Sequence, residues 1–465
     1  MIQNIVRSYE KFDGILHGDK WADQTLTFSF PSSASVYDGD YDDITLNPQN
    51  NNFEALNADQ RDAVTDLLNQ IESFTQLSFT QETANPGDAT FRFAMTDSIE
   101  TARGYYPATT ERAGDTWYNN SGGSYDNPTL GGFGFNEGFM HEIGHALGLE
   151  HGHVDGSFGQ LPYELDSNEF SVMTYRDYVG DFTSADPSAS EPDKSENETW
   201  GNPQTYMMLD IAALQYMYGA DYSSSGRIWS GDTTYTFDPN SGEMFIDGVG
   251  LGMPAGDSTS FSNRIFRTVW DGHGNDTYDL SNYTNDLRID LRPGRWSDFG
   301  VAQTADLNAS ESGYLARGTV ANALLVDGDT RALIENAVGG SGDDLLIGNQ
   351  ANNVLTGEAG ADQMFGFTGI DRADYAGSSE GVYVTLFNGA GRFGAAEGDS
   401  LAGIENLGGS AYDDLLFGDS GANTLYGREG ADVLGSGGGA DVLYAGGGND
   451  VLNGGAQGDL FGGGS

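Results

Sequence analysis

Two rhythms of apolar residues divide the chain near residue 220. Early on, Thr25-Leu26-Thr27-Phe28-Ser29-Phe30 alternates polar with apolar side chains, the two-residue period of a half-buried strand, and Pro31 ends it. Asn57 with Gln60 three residues on forms a capping box, after which Ala63, Leu67, Leu68, Ile71 and Phe74 recur at helical spacing up to Leu77. Ala89 to Ala94 returns to the strand period, and Gly104-Tyr105-Tyr106 reads as a short edge strand closed by Pro107. A second helix is predicted from Asn136 to Leu147. A third, from Met207 to Tyr218, is apolar on most sides, hence buried, and stops at Gly219. The Ser-, Asp-, Glu- and Pro-rich stretch between Asp181 and Trp200 reads as a solvated loop.

After Gly219 the chain becomes rich in Gly, Asp and Asn, and from Gly339 a nine-residue repeat sets in. Its sixth position holds Asp344, Asn353, Asp362 and Asp371, then, after an interruption, Asp414, Asn423, Asp432, Asp441, Asp450 and Asp459. Two residues beyond each stands an apolar partner, among them Leu346, Leu355, Met364, Leu416, Leu425, Leu434, Leu443, Leu452 and Phe461. Disordered tails have no reason to keep that spacing. Each repeat therefore reads as a Gly-rich turn with its Asp facing inward, followed by a short strand with its apolar residue buried. The segment from Tyr375 to Asn406 breaks the period and reads as a pair of strands with a loop, inserted between two stacks. The predicted fold class is α+β: a twisted mixed sheet with helices over residues 1–220, then an all-β parallel β-roll over 221–465.

Composition sharpens this picture. The 465 residues exceed one hydrophobic core, and 70 acidic against 20 basic residues give a net charge of −50. Such a surface repels phosphate backbones and anionic lipids, so neither nucleic acid nor membrane insertion is expected. No apolar run approaches the roughly 18 residues of a membrane span, and Met1 to Phe12 lack the apolar core of a signal peptide. Calcium suits the carboxylates: rows of aspartates about 4.8 Å apart repel one another unless cations lie between them. The repeats should then fold only where calcium is plentiful, outside the cell, with Asp344, Asp362, Asp371, Asp414, Asp432, Asp441, Asp450 and Asp459 as side-chain ligands. Asn353 and Asn423 replace the acid and should bind weakly or not at all. Cysteine is absent, which excludes disulfides and thiolate metal sites.

Residues 141 to 151 read His-Glu-Ile-Gly-His-Ala-Leu-Gly-Leu-Glu-His and hold three of the six histidines. His141 and His145, four apart on a helix, put their rings on one face, one turn apart, where both can bind one zinc ion. Glu142 adjoins the first ligand, placed to act as general base on water without being a ligand itself. Gly148 can adopt the left-handed conformation that ends the helix, letting the chain double back and bring His151 in as third ligand. Three protein ligands leave a fourth position open, as catalytic zinc sites do. His153 lies outside the pattern and reads as a surface residue, as do His17 and His273.

This motif, with Ser171-Val172-Met173-Thr174-Tyr175 downstream, resembles the metzincin endopeptidases and specifically the serralysins. Gly114-Asp115-Thr116-Trp117-Tyr118-Asn119, Asp210-Ile211-Ala212-Ala213 and Tyr218-Gly219-Ala220 are further matches, and the likeness extends through the repeats. The resemblance implies that Met173 lies beneath the zinc ligands. It implies that Tyr175 is an additional zinc ligand in the resting enzyme, swinging away to hydrogen-bond the tetrahedral intermediate. It also implies that Asp271 and Asp276, in Asp271-Gly272-His273-Gly274-Asn275-Asp276, bind calcium between the domains. Gly152 departs from the family's usual proline. Gly462-Gly463-Gly464-Ser465 stands where family members continue into further strands and an export signal, so a shortened or simpler end is expected. No recognisable propeptide precedes Trp21-Ala22-Asp23, which fits a mature form plus an initiator methionine.

The expected activity is hydrolysis of proteins with broad specificity by a monomer exported without a signal peptide through a type I route. The substrate would lie against the Gly104 to Tyr106 edge. A proteinaceous inhibitor is a further candidate partner. Two other readings stand beside it: a calcium-dependent extracellular binding protein with an inactive protease domain, and another zinc hydrolase acting on glycans or cell wall.

Overall fold

The computed structural model describes residues 1–8, 10–37, 41, 52–181, 197–223, 231–254, 263–311 and 313–463. The Ser- and Asp-rich loop expected between Asp181 and Trp200 falls largely outside them. The chain divides into two compact units, one of residues 1–229, 252–272 and 304–329, the other of 230–251, 273–303 and 330–465. Among the described residues no helix is long and apolar enough to cross a membrane.

In the first unit, strands β1 (Thr25–Ser29), β2 (Glu54–Ala55), β3 (Ser78–Gln81), β4 (Phe91–Thr96), β5 (Ala102–Gly104) and β6 (Thr116–Asn119) form one sheet in the order β3-β1-β4-β6-β5, with β2 paired to β4. Its β1, β3, β4 and β6 pairings are parallel, whereas β5 runs antiparallel at the edge, pairing Arg103 with Trp117. The expected strand around Gly104 thus begins two residues earlier. Tyr105 prolongs the pairing, its amide donating to the Asp115 carbonyl at 2.9 Å. Asp115 itself is buried in a two-bond ion pair with Arg92 of β4, at 2.6 and 2.8 Å, and accepts the Tyr41 hydroxyl. A buried carboxylate paired this way anchors the turn on which the edge strand hangs.

Helix α1 (Ala58–Phe74) starts at the expected capping box, with Asn57 and Gln60 exchanging side-chain bonds. Val64, Leu67, Leu68 and Ile71 bury its inner face. It stops at Thr75 rather than Leu77, because Thr75 is already extended. The predicted second helix proves to be two segments: a π-helix over Gly134–Met140 leads without a break into α2 (His141–Leu147). At Gly138 a Cβ would lie 2.6 Å from the Tyr125 ring, so backbone and aromatic meet there more closely than any other residue permits. Helix α3 (Met208–Tyr218) is buried on nearly all sides as expected, and Gly219 closes it with φ of 83°. Within the same unit β7 (Arg267–Val269) pairs in parallel with β8 (Val320–Asn322).

The second unit consists of short strands in two large sheets, of eleven and nine strands, dominated by parallel pairs. Partners in a sheet come eighteen residues apart, as in Leu346 with Met364, Leu416 with Leu434 and Leu425 with Leu443. Successive nonapeptides thus feed alternate sheets, so two repeats complete one coil. Their central apolar residues Leu346, Leu355, Met364, Ala373, Leu416, Leu425, Leu434 and Leu443 are fully buried. The interruption contains three strands, not the expected pair: Tyr383–Thr385 and Ala390–Arg392 form an antiparallel hairpin, and Ser400–Ala402 stacks on Gln363–Phe365 in the place of a repeat strand. The other sheet passes it by, Ala373 pairing directly with Leu407.

Leu425→Ala, in the fully buried stack, is expected to destabilise the second unit by about 2–5 kcal/mol. Leu460→Ala, at a repeat position 65% exposed, should change stability by no more than about 0.5 kcal/mol. Denaturant unfolding of both variants in calcium, followed by circular dichroism, checks this. Equal effects would contradict the stacking register.

Candidate metal centre

Helix α2 carries the site, and its end is what shapes it. Gly148 sits in the left-handed region at φ 103°, and its amide bonds back to the His145 carbonyl at 2.9 Å, so the chain reverses immediately after Leu147. A Cβ there would also lie 2.6 Å from the Asp19 carbonyl oxygen. The reversal delivers His151 to the two helical histidines: its Nε2 stands 3.0 Å from Nε2 of both His141 and His145.

The protons lie on the far side of the rings. Nδ1 of His141 donates to the Val172 carbonyl and Nδ1 of His145 to the Leu149 carbonyl, each at 2.8 Å, which leaves both Nε2 lone pairs directed inward. Burial first, and then mutual repulsion, lowers the His141 pKa to about 3. Burial lowers His145 to about 4 and drives His151 lower still. All three are therefore neutral imidazoles near pH 7. Lone pairs meeting with no proton between them repel unless a cation lies among them. Tetrahedral nitrogens about 2.0–2.1 Å from one centre stand about 3.3 Å apart, near the observed spacing. This trio, with all ligand atoms within 4.8 Å of one another, is the one group of three or more His and acidic side chains among the described residues that could hold a metal ion.

Glu142 is buried beside the trio, and its Oε2 accepts the amide of Gly104 from β5. Burial raises its pKa to about 8, against the opposing pull of the Gly104 amide and Arg103. Met173 is wholly buried under the helix, where a Cβ on Gly144 would come within 2.6 Å of its sulfur. Tyr175 is half-buried, its ring 4.5 Å from His151 and 5.7 Å from His141. His153 also reaches the site: its ring lies 5.3 Å from His151 and 5.1 Å from Tyr175, closer than the expected surface position. His17, likewise expected at the surface, is half-buried and stacked on Tyr106 at 3.8 Å, while His273 is exposed.

Two supports escaped sequence reasoning. Asp210 at the start of α3 is fully buried and accepts the Met207 amide at 2.9 Å, the Val172 amide at 2.8 Å and the Ser171 hydroxyl at 2.6 Å. It thereby fixes Val172, whose carbonyl orients His141. Gly152 donates its amide to the Met173 carbonyl at 3.1 Å, a bond that proline could not make, so the glycine ties the ligand loop to the segment beneath it. Glu137, one turn before His141, has its pKa raised to about 8 by burial and by neighbouring Asp177 and Glu142.

In the second unit the repeat acids stand in rows along the stacked coils. One oxygen of each downstream aspartate accepts the amide eighteen residues earlier: Asp362 from Asp344, Asp371 from Asn353, Asp432 from Asp414, Asp441 from Asn423, Asp450 from Asp432 and Asp459 from Asp441, at 2.7–3.2 Å. The other oxygen, Oδ2, of Asp362, Asp371, Asp432 and Asp441 is buried with no hydrogen-bond partner. Both oxygens of Asp414 and Asp344 accept amides or hydroxyls. Asn353 and Asn423 instead donate their Nδ2 to the Glu335 and Glu405 carbonyls at 2.8 Å. Asp271 is buried in the first unit. Asp276 is buried in the second, where its Oδ1 accepts the Thr233 amide at 2.8 Å.

Comparison with known proteins agrees with this geometry. Residues 225–453 match the family model described as Peptidase M10 serralysin C terminal. Metallopeptidase AprA of Pseudomonas marginalis is 30% identical over 461 residues, covering 87% of this chain and 83% of that protein. Serralysin C of Dickeya chrysanthemi is 32% identical over 69% of this chain, and Serralysin G of the same organism 34% identical over 56%. Of those two proteins' own lengths the chain spans 58% and 45%. With identity sustained across most of one metallopeptidase and a serralysin module matched over the repeats, the chain belongs to the serralysin family of metallopeptidases.

Proposed function

We propose that the chain acts as a secreted, zinc-dependent endopeptidase of broad specificity. The observation that carries this reading is the convergence of three neutral imidazole nitrogens, 3.0 Å apart, beside a buried carboxylate on the same helix. Residues 1–220 are the catalytic domain, of metzincin type, and residues 221–465 a calcium-binding β-roll. His141, His145 and His151 hold the zinc, with Tyr175 as a displaceable additional ligand. Zinc, when bound, supplies Lewis acidity that lowers the pKa of water and polarises a peptide carbonyl.

The chain's own groups do the rest. Glu142 takes the proton of the attacking water on its carboxylate and delivers it to the leaving amine. A proton affinity near neutrality suits both halves of that task, and burial tuned by the Gly104 amide provides it. The Tyr175 hydroxyl donates to the developing oxyanion. An extended substrate adds to the antiparallel edge β5, where main-chain hydrogen bonds hold it without demanding a particular side chain. No observation among the described residues favours an inactive protease domain, since ligands, base and tyrosine are all present.

Calcium binding rests on the unpartnered Oδ2 atoms of Asp362, Asp371, Asp432 and Asp441, in a setting that suits a hard cation. Asp344, Asp414, Asp450 and Asp459 complete the rows, and Asp271 in the first unit and Asp276 in the second are further ligand residues. Export to a calcium-rich exterior follows from a domain whose carboxylates oppose folding without the ion.

Glu142→Ala is expected to lower casein hydrolysis by about 10²–10⁴-fold with zinc content unchanged. Activity within tenfold of the parent would contradict the assigned base. Tyr175→Phe should likewise keep its zinc and lose about 10²-fold or more in kcat, with KM little changed. Stopped-assay kinetics on a peptide distinguishes these effects, and an unaltered kcat would remove Tyr175 from the mechanism. For the repeats, burial raises Asp344, Asp371 and Asp432 to about 6 and Asp362 to about 7. Unfolded, these groups titrate at about 3.9. Their protonation thus favours the calcium-free fold at low pH, and this stability fades as pH rises through about 6–7. The calcium-free protein should melt higher at pH 5 than at pH 8, and calcium should restore the melting point at pH 8. Thermal circular dichroism with no such reversal would count against the calcium sites.

A further inference from the structure

The three metal-binding candidates are not equivalent in what stands behind them. His141 and His145 each give Nδ1–H to a backbone carbonyl at 2.8 Å. Behind His151 stands a carboxylate instead: Glu150 Oε1 lies 3.8 Å from its Nδ1 and accepts the His151 amide at 2.9 Å. That oxygen is also held from outside the motif, by the hydroxyl of Tyr106 at 2.8 Å. A hydrogen bond needs about 2.7–3.2 Å, so less than an ångström of movement by the His151 ring closes the remaining gap.

Tyr106 is itself fixed. Its ring packs edge-on against His145 at 5.0 Å and lies flat on His17 at 3.8 Å, with the planes 6° apart. His17 is tied to the same loop, its amide donating to the Gly148 carbonyl at 3.0 Å, while the Glu150 amide donates to Ile15 at 2.9 Å. Tyr106 stands two residues beyond Gly104, the residue whose amide Glu142 accepts. The segment from Gly104 to Tyr106 thus reaches the site twice, once through the Gly104 amide to the base and once through the Tyr106 hydroxyl to Glu150. Glu150 is only 14% exposed, which strengthens its charge at short range.

We infer that Glu150, clamped by Tyr106, is a positioning residue that fixes the tautomer and ring orientation of His151 for metal binding. The inference rests on the reading that the three histidines hold zinc. An anionic partner on one imidazole makes that ring a better donor than a carbonyl does and sets it apart from the other two.

The test is zinc affinity of the full-length protein in calcium, measured by competition with a chromophoric chelator, alongside the melting temperature of the zinc-free form. Glu150→Gln is expected to weaken zinc binding by about 10- to 100-fold and leave the zinc-free melting temperature where it was. Tyr106→Phe keeps the ring against His145 and His17 and should weaken binding in the same direction but less. The double variant should be no worse than Glu150→Gln alone, because the tyrosine acts through the carboxylate. Zinc affinity within about twofold of the parent in Glu150→Gln overturns the inference. If that variant melts early, unchanged affinity in Tyr106→Phe overturns it instead. A parent protein that binds no zinc overturns the reading of the centre as well, which separates the two failures.

Discussion

Three imidazole lone pairs brought within 3.0 Å of one another constrain everything around them. Neutral donors in that arrangement repel, so a fold that holds them there must do so from behind, through Nδ1. The carbonyls of Val172 and Leu149 perform that service for the helical pair, and each belongs to a segment fixed in turn. Val172 hangs from Asp210 of α3, and the ligand loop is stitched to Met173 through Gly152. The left-handed break at Gly148 is what allows a helix of seven residues to present two ligands and the following loop to present the third. The site is therefore a property of one short helix and its termination, with the sheet supplying the edge strand beside it.

The second unit solves an opposite electrostatic problem. Where the histidines gather lone pairs without charge, the repeats gather charge without protons. Asp362, Asp371, Asp432 and Asp441 each spend one oxygen on the amide of the coil before it and leave the other buried. At Asn353 and Asn423 an N–H takes that position and donates to a backbone carbonyl.

Much of this was legible in the sequence because it is local. The capping box at Asn57, the glycine that ends α2, the buried run of α3 and the nine-residue period all depend on residues within one turn or repeat of each other. What was not legible depends on partners far along the chain. Asp210 meets Val172 across 38 positions, and Tyr106 meets Glu150 across 44, so neither pairing leaves a trace in spacing. Within the π-helix before α2, Gly138 meets the ring of Tyr125, a contact that no local period announces. The third strand of the interruption follows Gly398-Asp399, and Asp399 accepts the Asp362 amide as a repeat aspartate does, but across 37 positions, so the nine-residue period does not reveal it.

The central claim is that His141, His145 and His151 together bind one metal ion through Nε2. X-ray absorption at the zinc edge of the purified chain tests it most directly. The account predicts a shell containing three imidazole nitrogens at about 2.0–2.1 Å, with the remaining ligands oxygen. A spectrum with fewer than three imidazoles, or a preparation that takes up no zinc at all, would contradict it.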